Sequence, residues 1–199
     1  FLEVTMAISE KRSDTHSQED MKLRPVGFVR SSIAEPSLVA RAGDLDCDSP
    51  IEDHQARIEK YKEERRSISE LVIDSRLVED GILDGIEEFS HLLVLYWAHL
   101  GSPEGRKLTR GHPIGRKEFP LVGIFATRSP MRPNPVLLTT VELVERRGNV
   151  LRVTGLDAVD GSPLIDIKPY TPGYHQVHDV RMPQWMELIT REFREDEID

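Results

Sequence analysis

Two arginines and an asparagine sit in a stretch stiffened by three prolines, Thr127-Arg-Ser-Pro-Met-Arg-Pro-Asn-Pro135. Pro130, Pro133 and Pro135 fix φ and remove backbone donors, so Arg128, Arg132 and Asn134 are held at little entropic cost. A guanidinium held this way can fork onto a carboxylate or a phosphate. A carboxamide offers both a donor and an acceptor to the edge of a nucleobase. The competing reading is a rigid connector whose arginines face solvent. A second stretch, Gly155-Leu-Asp-Ala-Val-Asp-Gly-Ser-Pro-Leu-Ile-Asp-Ile-Lys-Pro-Tyr170, sets Asp157, Asp160, Asp166 and Lys168 among apolar residues. Strand alternation puts Asp166 and Lys168 on one face, where an internal ion pair is the simplest reading. Tyr170, between Pro169 and Pro172, could stack on a base or cover the mouth of the fold. The third unusual stretch is Asp84-Gly-Ile-Glu-Glu-Phe-Ser-His-Leu92, which runs into an apolar segment ending at His99.

Other chemistries are disfavoured. No Gly-x-Gly-x-x-Gly follows a strand and no Walker A loop occurs, which argues against a Rossmann dinucleotide reader or a P-loop. No Gly-x-Ser-x-Gly appears, and Cys47 lies in an acidic loop that is unfavourable to a thiolate nucleophile. His175 and His178 follow Pro172-Gly173 without an acidic helix partner, so no metal site is expected. A single cysteine leaves no room for an internal disulfide framework and suits a reducing compartment. The longest apolar run, Leu92 to Leu100, is interrupted by Tyr96, Trp97 and His99 and falls short of the roughly 20 residues that span a bilayer. Without an apolar run of signal-peptide type at the start, the expected location is cytoplasmic.

The net charge of −9 argues against a protein that coats a polyanion, but the charge is unevenly spread. Residues 101–135 carry Arg106, Lys107, Arg110, Arg116, Lys117, Arg128 and Arg132 against Glu104 and Glu118, a net +5. Residues 187–199 hold six carboxylates against two arginines. The chain therefore has a basic middle and an acidic end.

Several short β-type runs must position these residues. They are Pro25–Arg30, Leu71–Asp74, Ser90–His99 with no polar face, Leu121–Ala126, Leu138–Glu145, Val150–Leu156 and Leu164–Ile167. Arg147-Gly-Asn149 reads as a hairpin turn. Residues 31–50 and 101–118 read as loops, the second long enough to be functional or disordered. Glu52 to Arg66 reads as an exposed helix. Pro183 to Arg194 reads as a C-terminal helix with Trp185, Met186, Ile189 and Phe193 on one stripe. Residues 1–22 form a disordered tail on this reading, 23–180 the folded domain, and 181–199 the helix and acidic end. Many strands and few helices point to a mainly β barrel or sandwich.

Taken together and in order, the three stretches resemble the TrmO (TsaA/YaeB-like) family of S-adenosylmethionine-dependent tRNA methyltransferases. Members of that family look like D-G-[LI]-E-x-F-S-H-[LI], then G-x-F-A-T-R-S-P-x-R-P-N-P, then G-x-D-x-[LIV]-D-G-[ST]-P-[LIV]-x-D-I-K-P-Y. These patterns correspond here to Asp84–Leu92, Gly123–Pro135 and Gly155–Tyr170. Arg24 to Arg30 matches the family's first strand, and the likeness covers about residues 24–175.

The resemblance implies a compact single-sheet β-barrel with a helical insert and a C-terminal helix, acting as a homodimer. It implies S-adenosylmethionine as cofactor and the anticodon loop of tRNA as partner, with methylation at N6 of threonylcarbamoyl-adenosine 37. By position, the cofactor contacts would be His99, Leu100, Arg128, Leu138, Leu156, Asp157, Ala158 and Val159. Asp160, Asp166 and Tyr170 are the implied catalytic candidates, with Asp160 or Asp166 as proton acceptor. Arg132, Asn134, Lys168, Arg106 and Lys107 are the implied substrate contacts. Two departures bear on this. Leu137 stands where the family carries Gly, and Glu35-Pro36-Ser37 stands where it carries Pro-Arg-Gln. They keep open a methyltransferase of the same fold acting on another substrate, or a barrel that binds cofactor or RNA without turnover.

Overall fold

Alternation decides which side chains meet inside. In the strand Ser69–Ile73, residues 69, 71 and 73 are buried, and in Val150–Thr154 residues 151 and 153 are. The two strands pair so that Leu71 lies opposite Leu151 and Ser69 opposite Val153. The computed structural model of the protein describes residues 22–47, 54–175 and 177–193.

The elements in chain order are β1 (Gly27–Arg30), β2 (Leu38–Arg41), β3 (Asp44–Cys47), α1 (His54–Arg66), β4 (Ser69–Ile73), α2 (Ser75–Glu79) and β5 (His91–Trp97). They continue with β6 (Arg110–Gly111), β7 (Val122–Gly123), β8 (Val136–Arg147), β9 (Val150–Thr154), β10 (Pro163–Pro169), α3 (Pro172–His175) and α4 (Gln184–Phe193). Six strands close an antiparallel barrel in the order β1-β10-β5-β8-β9-β4. Closure removes free sheet edges. The barrel interior is filled by Val29, Leu71, Leu92, Val94, Val141 and Leu164 among others, each buried. The β-barrel with a helical insert and a C-terminal helix is thus the architecture found.

β8 is the long strand, and its pairing explains where the barrel opens. Its first half pairs with β5 from Val136 to Glu142, while β9 takes its other edge only from Glu142 onward. The edge of β8 before Glu142 is left to loops and side chains on that side.

Two expectations need correction. Residues 31–50 were expected as loop, yet β2 and β3 form a four-pair hairpin, Leu38↔Cys47 to Arg41↔Asp44. Its two-residue turn, Ala42-Gly43, has both φ values positive (51° and 79°), the geometry whose twist matches a hairpin. Leu121–Ala126 was expected as a buried strand. Only Val122–Gly123 is strand, and Ile124–Ala126 is a 3-10 turn with Phe125 78% exposed. The Thr127 hydroxyl donates to the Ile124 carbonyl at 2.8 Å and winds the segment into that turn. Its apolar content serves as one anchor, Ile124, in a second small core with Leu45, Leu108 and Met131.

Asp44 ties that second core together. Its carboxylate accepts the backbone N–H of Leu45 (2.7 Å) and of His112 (2.8 Å), contacts the His112 ring nitrogen Nδ1 (2.5 Å), and pairs with Lys117. Burial alone would raise the Asp44 pKa. The Lys117 ammonium and the His112 and Leu45 donors outweigh it and hold the carboxyl well below the usual range. A depressed folded-state pKa stabilises the protein fully above the unfolded value, about pH 4, and the stabilisation is lost as pH falls below it. Acid unfolding of the wild type is therefore expected to begin at lower pH than that of Asp44→Asn. Overlaid acid-unfolding curves of the two proteins would exclude the assignment.

Candidate functional site

At the open end of the barrel lies a cavity of about 830 Å³. Four segments from three separate regions of the sequence build its floor. The exit of β5 brings Ala98, His99, Leu100 and Gly101, and the proline loop brings Thr127 to Arg132. The start of β8 brings Val136 to Thr139, and the turn after β9 brings Asp157 and Val159. Helices α1 and α4 form the opposite wall, with Ile58 and Tyr61 on one and Trp185, Met186, Ile189 and Phe193 on the other. The apolar stripe expected on the C-terminal helix faces this cavity. Arg116 and Glu192 at 2.6 Å, with His54 at 3.1 Å from both, join the long basic loop, α1 and α4 across the rim.

Asp157 is the polar centre. Its Oδ1 accepts the Tyr96 hydroxyl and the Thr139 hydroxyl, each at 2.8 Å, and the Tyr61 hydroxyl stands 3.5 Å from Oδ2. Tyr96 and Thr139 come from interior positions of the paired strands β5 and β8. Burial first, and then the Asp157 charge, push the Tyr96 phenol far above its ordinary range, so it remains a donor at any working pH. Tyr61 is raised by the same two causes in the same order. Two elements fix the Asp157 turn. On one side Gly155 (φ +89°) donates its N–H to the Arg65 carbonyl at 2.7 Å, and its own carbonyl accepts Arg65 Nε at 3.0 Å. Only glycine takes that φ without strain. On the other side Ser31 clasps the turn, its hydroxyl on the Ala158 carbonyl (2.8 Å) and its N–H on Asp160 Oδ1 (3.0 Å).

The proline loop divides its two arginines. Arg132 donates from Nε to the Ser129 carbonyl (2.7 Å) and from Nη2 to the Thr127 carbonyl (2.6 Å), so its guanidinium braces the loop itself. Burial and then the neighbouring Arg128 charge lower its pKa. Arg128 is exposed and makes one bond, Nη2 to the Leu138 carbonyl at 2.9 Å, on the edge of β8 that β9 does not reach. Arg128 also lines the cavity.

Of the residues singled out in the sequence, His99, Leu100, Arg128, Arg132, Leu138, Asp157 and Val159 line the cavity. Leu156 and Ala158 are buried beside it in the barrel core. Asp160 is occupied in clasping residues 31–33, accepting from Ser31 and donating its N–H to the Ile33 carbonyl at 2.7 Å. Asp166, Lys168 and Tyr170 lie elsewhere. Leu164 pairs with Tyr96 near the cavity, but Lys168 and Pro169 pair with Leu93 and Leu92 at the far end of β5. Asp166 and Lys168 form an ion pair, with both side chains about half exposed rather than internal. Asn134 is exposed on the proline loop and Arg106 packs over the Trp97 ring at 5.6 Å, while Lys107 shares the same 3-10 turn; none of the three lines the cavity.

Sequence reasoning missed Tyr61, Tyr96 and Thr139. One signal was available. Tyr96 is the only hydroxyl-bearing residue of an otherwise apolar β5 beyond its first residue, and a buried phenol needs a partner. The substituted positions also reach the site. Leu137 and the Glu35-Pro36-Ser37 stretch all line the cavity. Among the described residues no group of three or more His, Cys, Asp or Glu side chains is arranged to hold a metal, and no helix is long and apolar enough to cross a membrane.

Comparison with known proteins places this architecture. The family described as tRNA-methyltransferase O N-terminal domain matches residues 48–176. A probable S-adenosyl-L-methionine-binding protein of Methanothermobacter thermautotrophicus is 42% identical over 154 residues, covering 77% of this chain and 93% of that protein. The tRNA (adenine(37)-N6)-methyltransferase of Escherichia coli is 42% identical over 93 residues, covering 44% of this chain and 39% of that one. The crystal structure of TrmO from Pseudomonas aeruginosa superposes with a TM-score of 0.54 at 25% identity, covering 81% of this chain and 60% of that chain. The match thus spans less than two thirds of the bacterial enzymes and nearly all of the archaeal protein. By the matched domain, the archaeal relative and the barrel itself, the chain belongs to the tRNA-methyltransferase O (TrmO) family.

Proposed function

We propose that the cavity binds S-adenosylmethionine and that the chain transfers its methyl group to N6 of threonylcarbamoyl-adenosine 37 in tRNA. One observation carries the reading. His99, Leu100, Arg128, Leu138, Asp157 and Val159, drawn from three separated regions of the sequence, meet in one cavity. Relatives named as S-adenosylmethionine-binding proteins and as tRNA (adenine(37)-N6)-methyltransferases support it.

The residues present fit such a ligand. The volume lies within the range of roughly 300–1,000 Å³ usual for small-molecule sites. Arg128 has donors to spare for a carboxylate. Leu100, Leu137 and Leu138 are apolar walls suited to a purine and a thioether chain. Asp157 Oδ2, with one long contact from Tyr61, has capacity to accept from hydroxyl or ammonium groups.

When bound, the cofactor supplies a methyl group on a sulfonium, open to in-line attack by a nitrogen lone pair. The protein's task is then mainly to hold and align. Arg128 pairs with the amino-acid carboxylate. The Leu156–Val159 backbone and the Asp157 carboxylate hold the nucleoside end, and the Tyr96 and Thr139 hydroxyls keep that carboxylate in place. An anticodon-loop adenosine is unpaired or easily splayed, so its base enters a pocket at low cost. Among the described residues, the carboxylates that line the cavity are Glu35, Glu64 and Asp157. Asp157 is engaged by hydroxyls and Glu64 pairs with Lys60 at 3.5 Å, so Glu35 is the better placed to take the proton that leaves the acceptor nitrogen.

Calorimetry with S-adenosylmethionine is expected to show saturable binding. Nucleoside mass spectrometry of tRNA from cells lacking the gene is expected to show loss of the methylated threonylcarbamoyl-adenosine and accumulation of its unmethylated form. Absence of cofactor binding rejects the methyltransferase reading. Binding with an unchanged nucleoside profile rejects the tRNA assignment and favours another acceptor.

A further inference from the structure

Across a wall formed by Tyr61 and Phe193, the cavity has a neighbour, a cleft of about 670 Å³ between α1 and the outer surface of β8 and β9. The two rings meet edge to face, with centroids 5.2 Å apart, and both line each space. Among the described residues, the charged and titratable side chains around the cleft are Tyr61, Lys62, Arg65, Arg66, His91 and Glu142. Glu142 is the one acid among these described residues, and the Thr154 hydroxyl stands 3.4 Å from it.

Lys62 is the telling residue. It is only 8% exposed, and its ammonium has a single distant ion pair, 3.9 Å from Glu59. That burial is of the alkyl stem; the ammonium lines the cleft and is not sealed from solvent, so an anion can reach it there. Arg65 is fixed by its Nε on the Gly155 carbonyl and lies 5.7 Å over the Tyr61 ring. The end of α1 is therefore rigidly joined to the turn that carries Asp157. An anion in the cleft and a base in the cavity would lie on the two sides of one aromatic wall.

We propose that this cleft binds the phosphodiester backbone of the RNA substrate, beside the nucleoside that enters the cavity. The proposal rests on the function proposed above and assigns the insert helix a part in it. Phosphate contacts of this kind set the position of the nucleic acid and carry no sequence information. Lys62, Arg66 and His91 line the cleft but not the cavity, so the two sites can be tested apart.

The test compares the full-length wild type with Lys62→Gln, Arg66→Gln and Lys62→Arg. Binding of total tRNA from cells lacking the gene is titrated across a range of salt concentrations, with calorimetry for S-adenosylmethionine alongside. Each Gln variant is expected to bind tRNA several-fold more weakly, with a log–log salt slope shallower by about 1. Lys62→Arg should stay near wild type. Unchanged cofactor affinity in all variants serves as the check on folding. Wild-type affinity and slope in both Gln variants would overturn the cleft while leaving the proposed function standing. A wild type that binds cofactor but no tRNA would overturn both.

Discussion

Replacing Asp157 by Ala is expected to cost about 2–4 kcal/mol of stability and to reduce S-adenosylmethionine binding below detection. The stability loss follows from what the carboxylate serves. The Tyr96 and Thr139 hydroxyls both donate to Oδ1 at 2.8 Å, and Tyr96 is only 2% exposed. Each buried donor left without an acceptor costs roughly 1–3 kcal/mol, and the two hydroxyls, 3.5 Å apart, can recover part of this by turning to each other. Asp157→Asn separates the two effects. It keeps an oxygen acceptor and so most of the stability, but it loses the charge, and cofactor affinity should still fall. Tyr96→Phe removes one donor and leaves Asp157 with Thr139, at a cost of about 1 kcal/mol. Urea unfolding with calorimetry on the same samples measures both quantities. An Asp157→Ala protein as stable as wild type would show that the hydroxyl network is not built on this carboxylate.

The elements most legible in the sequence were those whose pattern admits one solution. Ser90–His99 has no polar face, so it had to be a strand covered on both sides, and β5 is that strand. The turn at Gly148-Asn149 fixed the β8–β9 pairing, whose register runs out from Arg147↔Val150. The β2–β3 hairpin was hidden for the opposite reason. Its strands have four residues each, Asp44 and Asp46 interrupt one of them, and Ala42 takes a positive φ that its residue type does not advertise.

At the site, nearness in sequence is not nearness in space where a strand intervenes. Asp157, Asp166 and Tyr170 are close in sequence, but at about 3.3 Å per residue β10 carries Tyr170 some 20 Å from Leu164, toward the start of β5. Arg128 and Arg132 looked alike in a stiff loop. Only three-dimensional packing shows that one guanidinium is spent on the loop's own carbonyls and the other is not. The stripe of Trp185, Met186, Ile189 and Phe193 was readable as an apolar face, but nothing in its spacing said that it faces a cavity at the far end of the chain's path.

That division between the two arginines leads to the second large effect. Arg128→Ala is expected to weaken S-adenosylmethionine binding ten- to a hundredfold, the range of one charge-assisted hydrogen-bonded pair at about 1.4–2.8 kcal/mol. Stability should change by less than about 0.5 kcal/mol, because the side chain is exposed and gives up a single bond to the Leu138 carbonyl. Arg128→Lys keeps the charge and loses the planar fork, so its affinity should fall between the two. The carboxylate of the cofactor is remote from the transferred methyl group. Its contact is made equally in the ground and transition states, and the loss should appear in KM with kcat nearly unchanged. Arg132→Ala should behave in the reverse way. Its guanidinium holds Thr127 and Ser129 together, so stability should drop while the direct charge contact to the ligand stays in place. If Arg128→Ala binds cofactor as tightly as wild type, the carboxylate lies elsewhere in the cavity. The α1 side, where Arg57, Arg65 and Arg116 also line it, would then be the place to look.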